Sequence, residues 1–307
     1  MSHTIKLLSL NLELGGGPDE DGRLPDRFHR AMAFMDSRQA DLILCQELTF
    51  FRDDGCARLH AAEDILGMRG VLGPPARGQH PTGIFVREPF RVTHEFDRGR
   101  GWRTEPTNLK LALRDAPERS IVCASWHNKP ASPRVREAEA DDLVGLVSAA
   151  GADAWLGAGD TNEYPLPDGE TVAPIDWASP EITDRAHVAA RTTARPDGTR
   201  ESCTYVDRAL LTAGLHDPAR YAAHTLGQPE ALNPTAGHAP ATAGQGGPSR
   251  IDRWYMDPYL VQAVTSVQVL DTGEVSDHHA VEVHLDYDTA VAALRRQIAP
   301  LPPYMTS

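Results

Sequence analysis

The stretch Asp153-Ala154-Trp155-Leu156-Gly157-Ala158-Gly159-Asp160-Thr161-Asn162-Glu163-Tyr164-Pro165 decides how the chain is read. A short apolar run, with the length and composition of a buried strand, reaches two glycines and then sets an acid and an amide on alternate residues before a proline stops the element. Successive side chains of a strand point to opposite faces, so Asp160 and Asn162 share a face with Thr161 between them. A carboxylate can orient or deprotonate a water, and a neighbouring carboxamide can donate to an oxyanion. Taken alone, the pair suits equally a turn in which Asp and Asn bond their own backbone.

Working outward, Ser132 and Pro133 give an N-cap and a first-turn proline, and Ala140, Leu143, Val144 and Val147 form one helical face leading into that strand. Before this helix, Ser120 to Trp126 reads as a strand ending in His127-Asn128-Lys129-Pro130. The N-terminus repeats the pattern. Thr4 to Leu14 is an apolar strand with Asn11 near its end and Gly15, Gly16 and Gly17 beyond it. Phe28, Ala31, Met32 and Met35 follow Pro25 at helical spacing, and Asp41 to Leu48 is a second strand that delivers Gln46 and Glu47. Strand-helix-strand units imply α/β organisation, in which ligands collect beyond the carboxyl ends of strands. Between the units, runs at Gly83–Val86, Arg91–Thr93 and Leu109–Leu113 suggest an antiparallel portion.

Residues 53–80 are charged and rich in Gly and Pro, with one helical possibility at Ala61 to Leu66 and no role that the sequence assigns. Residues 166–200 are loop-like and hold Arg185, Arg191, Arg195 and Arg200, as either solvated surface or a substrate-facing arginine loop. Residues 224–249 form a second long loop. Arg250 to Met256 and Val264 to Leu270 read as strands, and Ser276-Asp277-His278 opens an alternating strand running to Leu285. Val291, Leu294 and Ile298 mark a C-terminal helix.

Composition bounds the answer. Over 307 residues, 41% hydrophobic and 24% charged, the chain is of ordinary globular make-up. Its net charge of -13 argues against holding nucleic acid by a broad basic surface, while leaving room for a local basic groove. The four cysteines are far apart, at neither zinc-ligand nor disulfide-framework spacing, and read as reduced thiols. The sequence has no signal-peptide core and no apolar run near the roughly 20 residues of a membrane helix, so the expected location is cytoplasmic.

Five strand ends therefore carry Asn11, Glu47, His127, Asp160 with Asn162, and Asp277 with His278. Each has an ordinary structural explanation, but their recurrence at one kind of place is poorly explained by accident. Oxygen ligands, imidazoles and amides without cysteine favour a hard cation, Mg2+ or Mn2+, and such a cation with an Asp-oriented water suits phosphoric ester hydrolysis.

These residues resemble the endonuclease/exonuclease/phosphatase superfamily, to which deoxyribonuclease I and exonuclease III-type enzymes belong. The resemblance spans nearly the whole chain in order: Leu8-Ser9-Leu10-Asn11, Cys45-Gln46-Glu47, Trp126-His127, Gly159-Asp160-Thr161-Asn162, Arg250-Ile251-Asp252 and Ser276-Asp277-His278. It implies one catalytic domain over residues 1–307, folded as a four-layer α/β sandwich with two mixed β-sheets face to face and helices outside. It implies a metal site at Glu47 with Asn11 beside it and Asp277 assisting. Asp160 would orient or deprotonate the water, Asn162 and His127 would meet the phosphate, and His278, held by Asp252, would act as acid/base. Thr161 stands where the family has an aromatic or Leu, Asn128-Lys129 where Leu is common, and Arg253 where an aromatic is usual. Lys129, Arg191, Arg195 and Arg253 are accordingly expected to form a substrate-binding rim. The expected activity is divalent-metal phosphodiester hydrolysis, with a nuclease first and a phosphatase or phosphodiesterase acting on small phosphorylated molecules or lipid headgroups as the alternative.

Overall fold

In the computed structural model, residues 4–19, 23–74, 80–95, 105–149 and 151–303 are described. The N-terminal unit is β1 (Thr4–Asn11), α1 (Asp26–Arg38) and β2 (Leu42–Gln46), followed by α2 (Ala57–Leu66), β3 (Arg69–Leu72), β4 (Gly83–Val86), β5 (Phe90–Glu95) and β6 (Thr107–Leu113). The second unit is β7 (Ala116–His127), α3 (Pro133–Ala149) and β8 (Ala154–Asp160). Then come α4 (Arg185–Arg191), the hairpin strands β9 (Thr192–Ala194) and β10 (Arg200–Ser202), α5 (Tyr205–Thr212), α6 (Pro218–Thr225), β11 (Asp252–Met256), β12 (Val264–Leu270), β13 (Ala280–Asp286) and α7 (Tyr287–Leu294). Both strand-helix-strand units pair their strands parallel, β1 with β2 and β7 with β8, as crossover helices require.

Two mixed sheets result, ordered β12-β13-β1-β2-β4-β3 and β11-β8-β7-β6-β5. Alternation along each strand makes the layers. On β1, Ile5 and Leu7 face the second sheet, where they meet Leu109, Leu111, Ile121, Cys123, Leu156 and Trp254. The opposite face of β1, Leu8 and Leu10, together with Leu12 just past its end, packs against Phe28, Ala31, Met32 and Met35 of α1 and Ala62 and Leu66 of α2. On the second sheet the outward residues Val122, Ala124, Trp126, Trp155 and Tyr255 pack against Ala140, Leu143 and Leu146 of α3 and Val206, Leu210 and Leu211 of α5. Helices, sheet, sheet and helices make a four-layer α/β sandwich. Each fully buried Leu or Phe in these layers contributes about 1.5–3 kcal/mol relative to exposure.

The two glycines of the opening stretch explain how one layer closes. Gly157 and Gly159 lie on the outward face of β8, under Trp126. A Cβ on Gly159 would sit 2.3 Å from the Trp126 carbonyl oxygen and 2.7 Å from its indole. Glycine there lets the fully buried indole lie across the strand.

The seam between the sheets changes character toward one end. Past the aliphatic layer, Gln46 Nε2 donates to Ser125 Oγ at 3.1 Å, and Ser125 Oγ donates to the Cys45 carbonyl at 2.9 Å. Thr82 Oγ1 donates to the Ser125 carbonyl at 3.0 Å and lies 2.8 Å from Thr107 Oγ1. These bonds stitch the sheets together directly beneath the strand ends that carry Asn11, Glu47, His127 and Asp160.

Several expectations are corrected. The helix expected at Ala61 starts four residues earlier, at Ala57, and residues 53–80 also supply β3, paired antiparallel with β4. Residues 166–200 contain α4 and most of the β9–β10 hairpin, and residues 224–249 contain two short 3-10 turns. The C-terminal helix stops at Leu294, with Arg295 as its C-cap, so Ile298 lies outside it. No helix among the described residues is long and apolar enough to cross a membrane.

Candidate active site

The register explains why residues far apart in sequence meet. Parallel β7 and β8 place His127 beside Asp160, and antiparallel β11 places Asp252 opposite Asp160. Parallel β1 and β2 bring Asn11 level with Gln46, one residue before Glu47. Because β13 runs antiparallel to β1, its start, preceded by Asp277 and His278, lies at the same end. Parallel strands contribute their ends and antiparallel ones their beginnings, so one edge of the sandwich collects every motif.

Asp160 is the centre. Its Oδ1 accepts from the Asn162 backbone N–H at 2.8 Å, while Oδ2 accepts from Asn11 Nδ2 at 3.1 Å and lies 3.4 Å from His127 Nε2 and 3.9 Å from His278 Nε2. Burial alone would push this carboxyl up, but the hydrogen bond to His127 and the charges of His278, His127 and Arg191 hold it well below the usual carboxylate range. For His127, burial opposes the charged ring, and Asp160 and Glu47 outweigh it, raising the imidazole above its ordinary value. Asp160 is therefore an ionised acceptor at neutral pH.

His278 is held from the other side. Its Nδ1 pairs with Asp252 Oδ2 at 2.8 Å, and that same oxygen accepts from Thr235 Oγ1 at 2.7 Å. Burial disfavours the imidazolium, yet Asp252, Asp160 and Asp277 carry its pKa up to about 10. Burial raises the Asp252 carboxyl in turn, with His278 opposing the rise. The turn carrying His278 is tied to β1, since Ser276 Oγ donates to the Asn11 carbonyl at 2.7 Å and accepts from the His278 N–H at 3.1 Å.

Glu47 closes the group. Its Oε1 lies 3.4 Å from Asn11 Nδ2 and 3.8 Å from His127 Nε2, and its Oε2 accepts from the Leu14 N–H at 2.9 Å. Asn11 Oδ1 accepts from Glu13 N–H at 3.0 Å, which fixes the amide with its nitrogen toward the two carboxylates. Glu47 and Asn162 both have left-handed backbone, φ 56° and 52°, a conformation unfavourable by on the order of 1 kcal/mol for a residue with a Cβ. Two strained residues at one site are held there by their surroundings.

These groups line a cavity of about 300 Å³ together with His80, Asn128, Lys129, Pro130, Arg191 and Asp277. Glu47, His127, Asp160, Asn162, His278, Lys129 and Arg191 are thus brought together, Asn11 and Asp252 touch them from behind, and Asp277 stands at the mouth with its side chain 57% exposed. Two expected rim residues go elsewhere. Arg253 is one residue past Asp252 on β11, so alternation turns it to the opposite face, where it is buried and reaches the Glu163 and Arg250 carbonyls at 3.4 Å. Arg195 sits on the β9–β10 hairpin and is paired with Glu201 at 2.9 Å outside this cavity.

Sequence reasoning missed the supporting residues. His80 stacks on His127 with ring centroids 6.3 Å apart and meets Thr49 Oγ1 at 2.8 Å; no motif marked it. Buried Glu139 accepts from Asn128 Nδ2 and the Lys129 N–H at 3.1 and 2.9 Å, and buried Arg136 donates to the Lys129 carbonyl at 2.8 Å. A signal for Arg136 existed, because it continues the Ala140 and Leu143 face of α3 by one turn and so had to be buried.

The whole architecture is shared with solved structures. One is an endonuclease/exonuclease/phosphatase family protein from Bacteroides thetaiotaomicron, 16% identical, with 93% of this chain and 98% of that chain covered at a TM-score of 0.56. The chain has the endonuclease/exonuclease/phosphatase fold. The same fold relates it to a 3'-5' exonuclease from Neisseria meningitidis, 16% identical over 92% of this chain and 100% of that chain, TM-score 0.58. It also relates it to a mannosyl-6-phosphatase from B. thetaiotaomicron, 17% identical over 91% and 98%, TM-score 0.56. No family model and no curated protein sequence matches the chain.

Proposed function

We propose that the chain hydrolyses phosphoric esters with the help of a divalent cation, Mg2+ or Mn2+. The observation that carries this reading is Asp160 Oδ2, an ionised carboxylate oxygen facing Asn11, His127 and His278 at the floor of the cavity. A carboxylate with so low a pKa is a poor proton store but a strong hydrogen-bond acceptor, so its task is to align the attacking water. His278, protonated through neutral pH, donates to a phosphoryl oxygen or to the departing alkoxide, and Asp252 keeps its ring oriented. His127 donates to the phosphoryl group from the other side.

Asp160, Asp252 and His278 present ligand atoms all within 4.8 Å of one another. There the imidazole Nδ1 is engaged with Asp252 at 2.8 Å, so that ring is already committed to a carboxylate. Glu47, an oxygen donor facing the cavity with no thiol nearby, fits a hard cation better, with Asn11 beside it and Asp277 at the mouth. When bound, such a cation supplies charge that stabilises the phosphoryl oxygens.

Nucleic-acid diesters remain a substrate reading because a 3'-5' exonuclease shares the fold. Small phosphate esters are a second, supported by the net charge of -13 and by the mannosyl-6-phosphatase. The four cysteines, all unpaired, support a reducing compartment such as the cytoplasm. The test is a hydrolysis screen in Mg2+ and in Mn2+, using single- and double-stranded DNA, RNA, bis-p-nitrophenyl phosphate and p-nitrophenyl phosphate, with Asp160→Asn as control. Hydrolysis by the wild type alone supports the reading; equal rates in both proteins, or none on any ester, reject it.

A further inference from the structure

Two basic side chains line the cavity with no ion pair of their own, although Asp160 lies close enough for its charge to act on Arg191. Arg191, at the end of α4, donates through Nη2 to Asn162 Oδ1 at 2.6 Å, while its Nη1 is shielded from solvent and has no partner. Lys129 lines the same cavity; its backbone is pinned by Glu139 and Arg136, and its ammonium has no partner among the described residues. Asn162 is engaged at both ends, accepting from Arg191 at Oδ1 and donating from Nδ2 to the Asn128 carbonyl at 2.9 Å. That amide is spent on holding Arg191. Two of the arginines expected at the rim lie outside the cavity, Arg195 paired with Glu201 and Arg253 in the protein interior.

We propose that Arg191 and Lys129 form a clamp for a terminal phosphate dianion, with Asn162 as the positioning residue for Arg191. This deepens the hydrolase reading and rests on it. The argument is the distribution of charge. A polymer diester carries one charge per phosphate, spread along its length, and is held by cations spread in the same way. A terminal phosphomonoester concentrates about 1.5 to 2 charges on one group with three acceptor oxygens. Here Arg191, with its buried and unpartnered Nη1, and Lys129 converge on one cavity of about 300 Å³, which concentrates their charge on a single group. A guanidinium presents two parallel donors to such a group, and a lysine supplies a point charge. The phosphate can belong to a small phosphorylated molecule or to the end of a nucleic acid; both present the same dianion.

The experiment measures binding first, on the metal-free protein, so that it does not depend on turnover. Calorimetry at pH 8 compares inorganic phosphate, a dianion there, with dimethyl phosphate, a monoanion. Phosphate is expected to bind at least about 10-fold tighter, and Arg191→Gln to weaken phosphate by about 10- to 100-fold while leaving dimethyl phosphate nearly unchanged. Arg191→Lys should restore charge but not the paired donors and recover only part of the loss. Lys129→Gln, at a position outside the packed core, should erode the same preference and guards against misfolding of the Arg191 variants. Asn162→Gly keeps the left-handed backbone and removes the amide; it should weaken phosphate in the wild type and add nothing in the Arg191→Gln background. Equal binding of the two anions, or additive losses from Asn162→Gly and Arg191→Gln, would overturn the clamp. With Mg2+ present, p-nitrophenyl phosphate should exceed bis-p-nitrophenyl phosphate in kcat/KM. Release of phosphate from 5'- or 3'-phosphorylated oligonucleotides against release from sugar phosphates then separates the two sources. No turnover on any ester combined with intact dianion preference would reject the hydrolase reading and keep the clamp.

Discussion

Two clusters of buried charge lie on opposite faces of β11, and they differ in kind. On the inward face, Asp252, His278, Asp160, His127 and Asn11 are joined by imidazoles and an amide around an open cavity. On the far side, Arg220 pairs with Glu170 and Asp207 at 2.9 Å, Arg250 pairs with Asp217 at 2.8 Å and also with Glu170, and Tyr255 donates to Asp207 at 2.7 Å. Guanidiniums keep their charge at any working pH, so carboxylates paired with them are neutralised for good. Imidazoles and amides leave oxygens exposed to whatever enters and allow protons to move. The first cluster is open to a ligand because it is held by imidazoles and an amide, and the second is closed because its carboxylates are paired with guanidiniums.

That contrast is open to attack in order of expected effect. Asp160→Asn should lower turnover by on the order of 10^3-fold or more while urea unfolding shows a folded protein; near wild-type rates would remove Asp160 from the mechanism. Arg250→Ala should do the reverse, destabilising by about 3–5 kcal/mol in urea unfolding by stranding Asp217 and leaving Glu170 to Arg220 alone, with kcat per folded molecule unchanged. If activity fell and stability did not, the division between the clusters would be misplaced.

Asp252→Asn tests the proton. With its folded pKa near 10 and an ordinary value of 6.5, His278 contributes stability that is fully present below about pH 6.5 and is lost as pH rises toward 10. Removing the Asp252 charge should bring the alkaline limb of the rate profile down toward 6.5, a loss of about 100-fold at pH 8.5 and little at pH 6. An alkaline limb that stayed near pH 10 would show that Asp252 does not set the proton on His278. The smallest effect on turnover belongs to Thr235→Val, which deletes the hydrogen bond to Asp252 Oδ2 and the hydroxyl that accepts from the Ile251 and Asp252 N–H groups. About 1 kcal/mol, near five-fold in kcat, is expected from steady-state rates at pH 7; no change would mean that Asp252 needs no help to hold the ring.

The motif residues were legible because strand ends read as punctuation: an apolar run, then a polar residue, then Gly or Pro. That signal marks Asn11, His127 and Asp160 at the same end of the sandwich, Glu47 and His278 come from the ordered motifs, and the repeated strand-helix-strand units give the parallel pairs. The arginines were harder. Arg253 was placed at the rim by its proximity to Asp252, although strand alternation alone sends neighbours to opposite faces. Arg191 and Arg195 looked equivalent in sequence, and only the end of α4 and the turn of the β9–β10 hairpin separate an inward from an outward guanidinium. His80, Glu139 and Thr235 carry no such signal because their roles arise from packing across elements, which local pattern does not encode, whereas Arg136 lies on the legible apolar face of α3.

The hydrogen-bonded rung of Gln46, Ser125, Thr82 and Thr107 joins sheets that each carry half of the site, Asn11, Glu47 and His278 with one and His127, Asp160 and Asp252 with the other. A partly folded chain with one sheet formed has only half of this cavity. The cavity is therefore a logical AND of two sheets, and under the proposed function turnover during refolding would time the instant at which they dock.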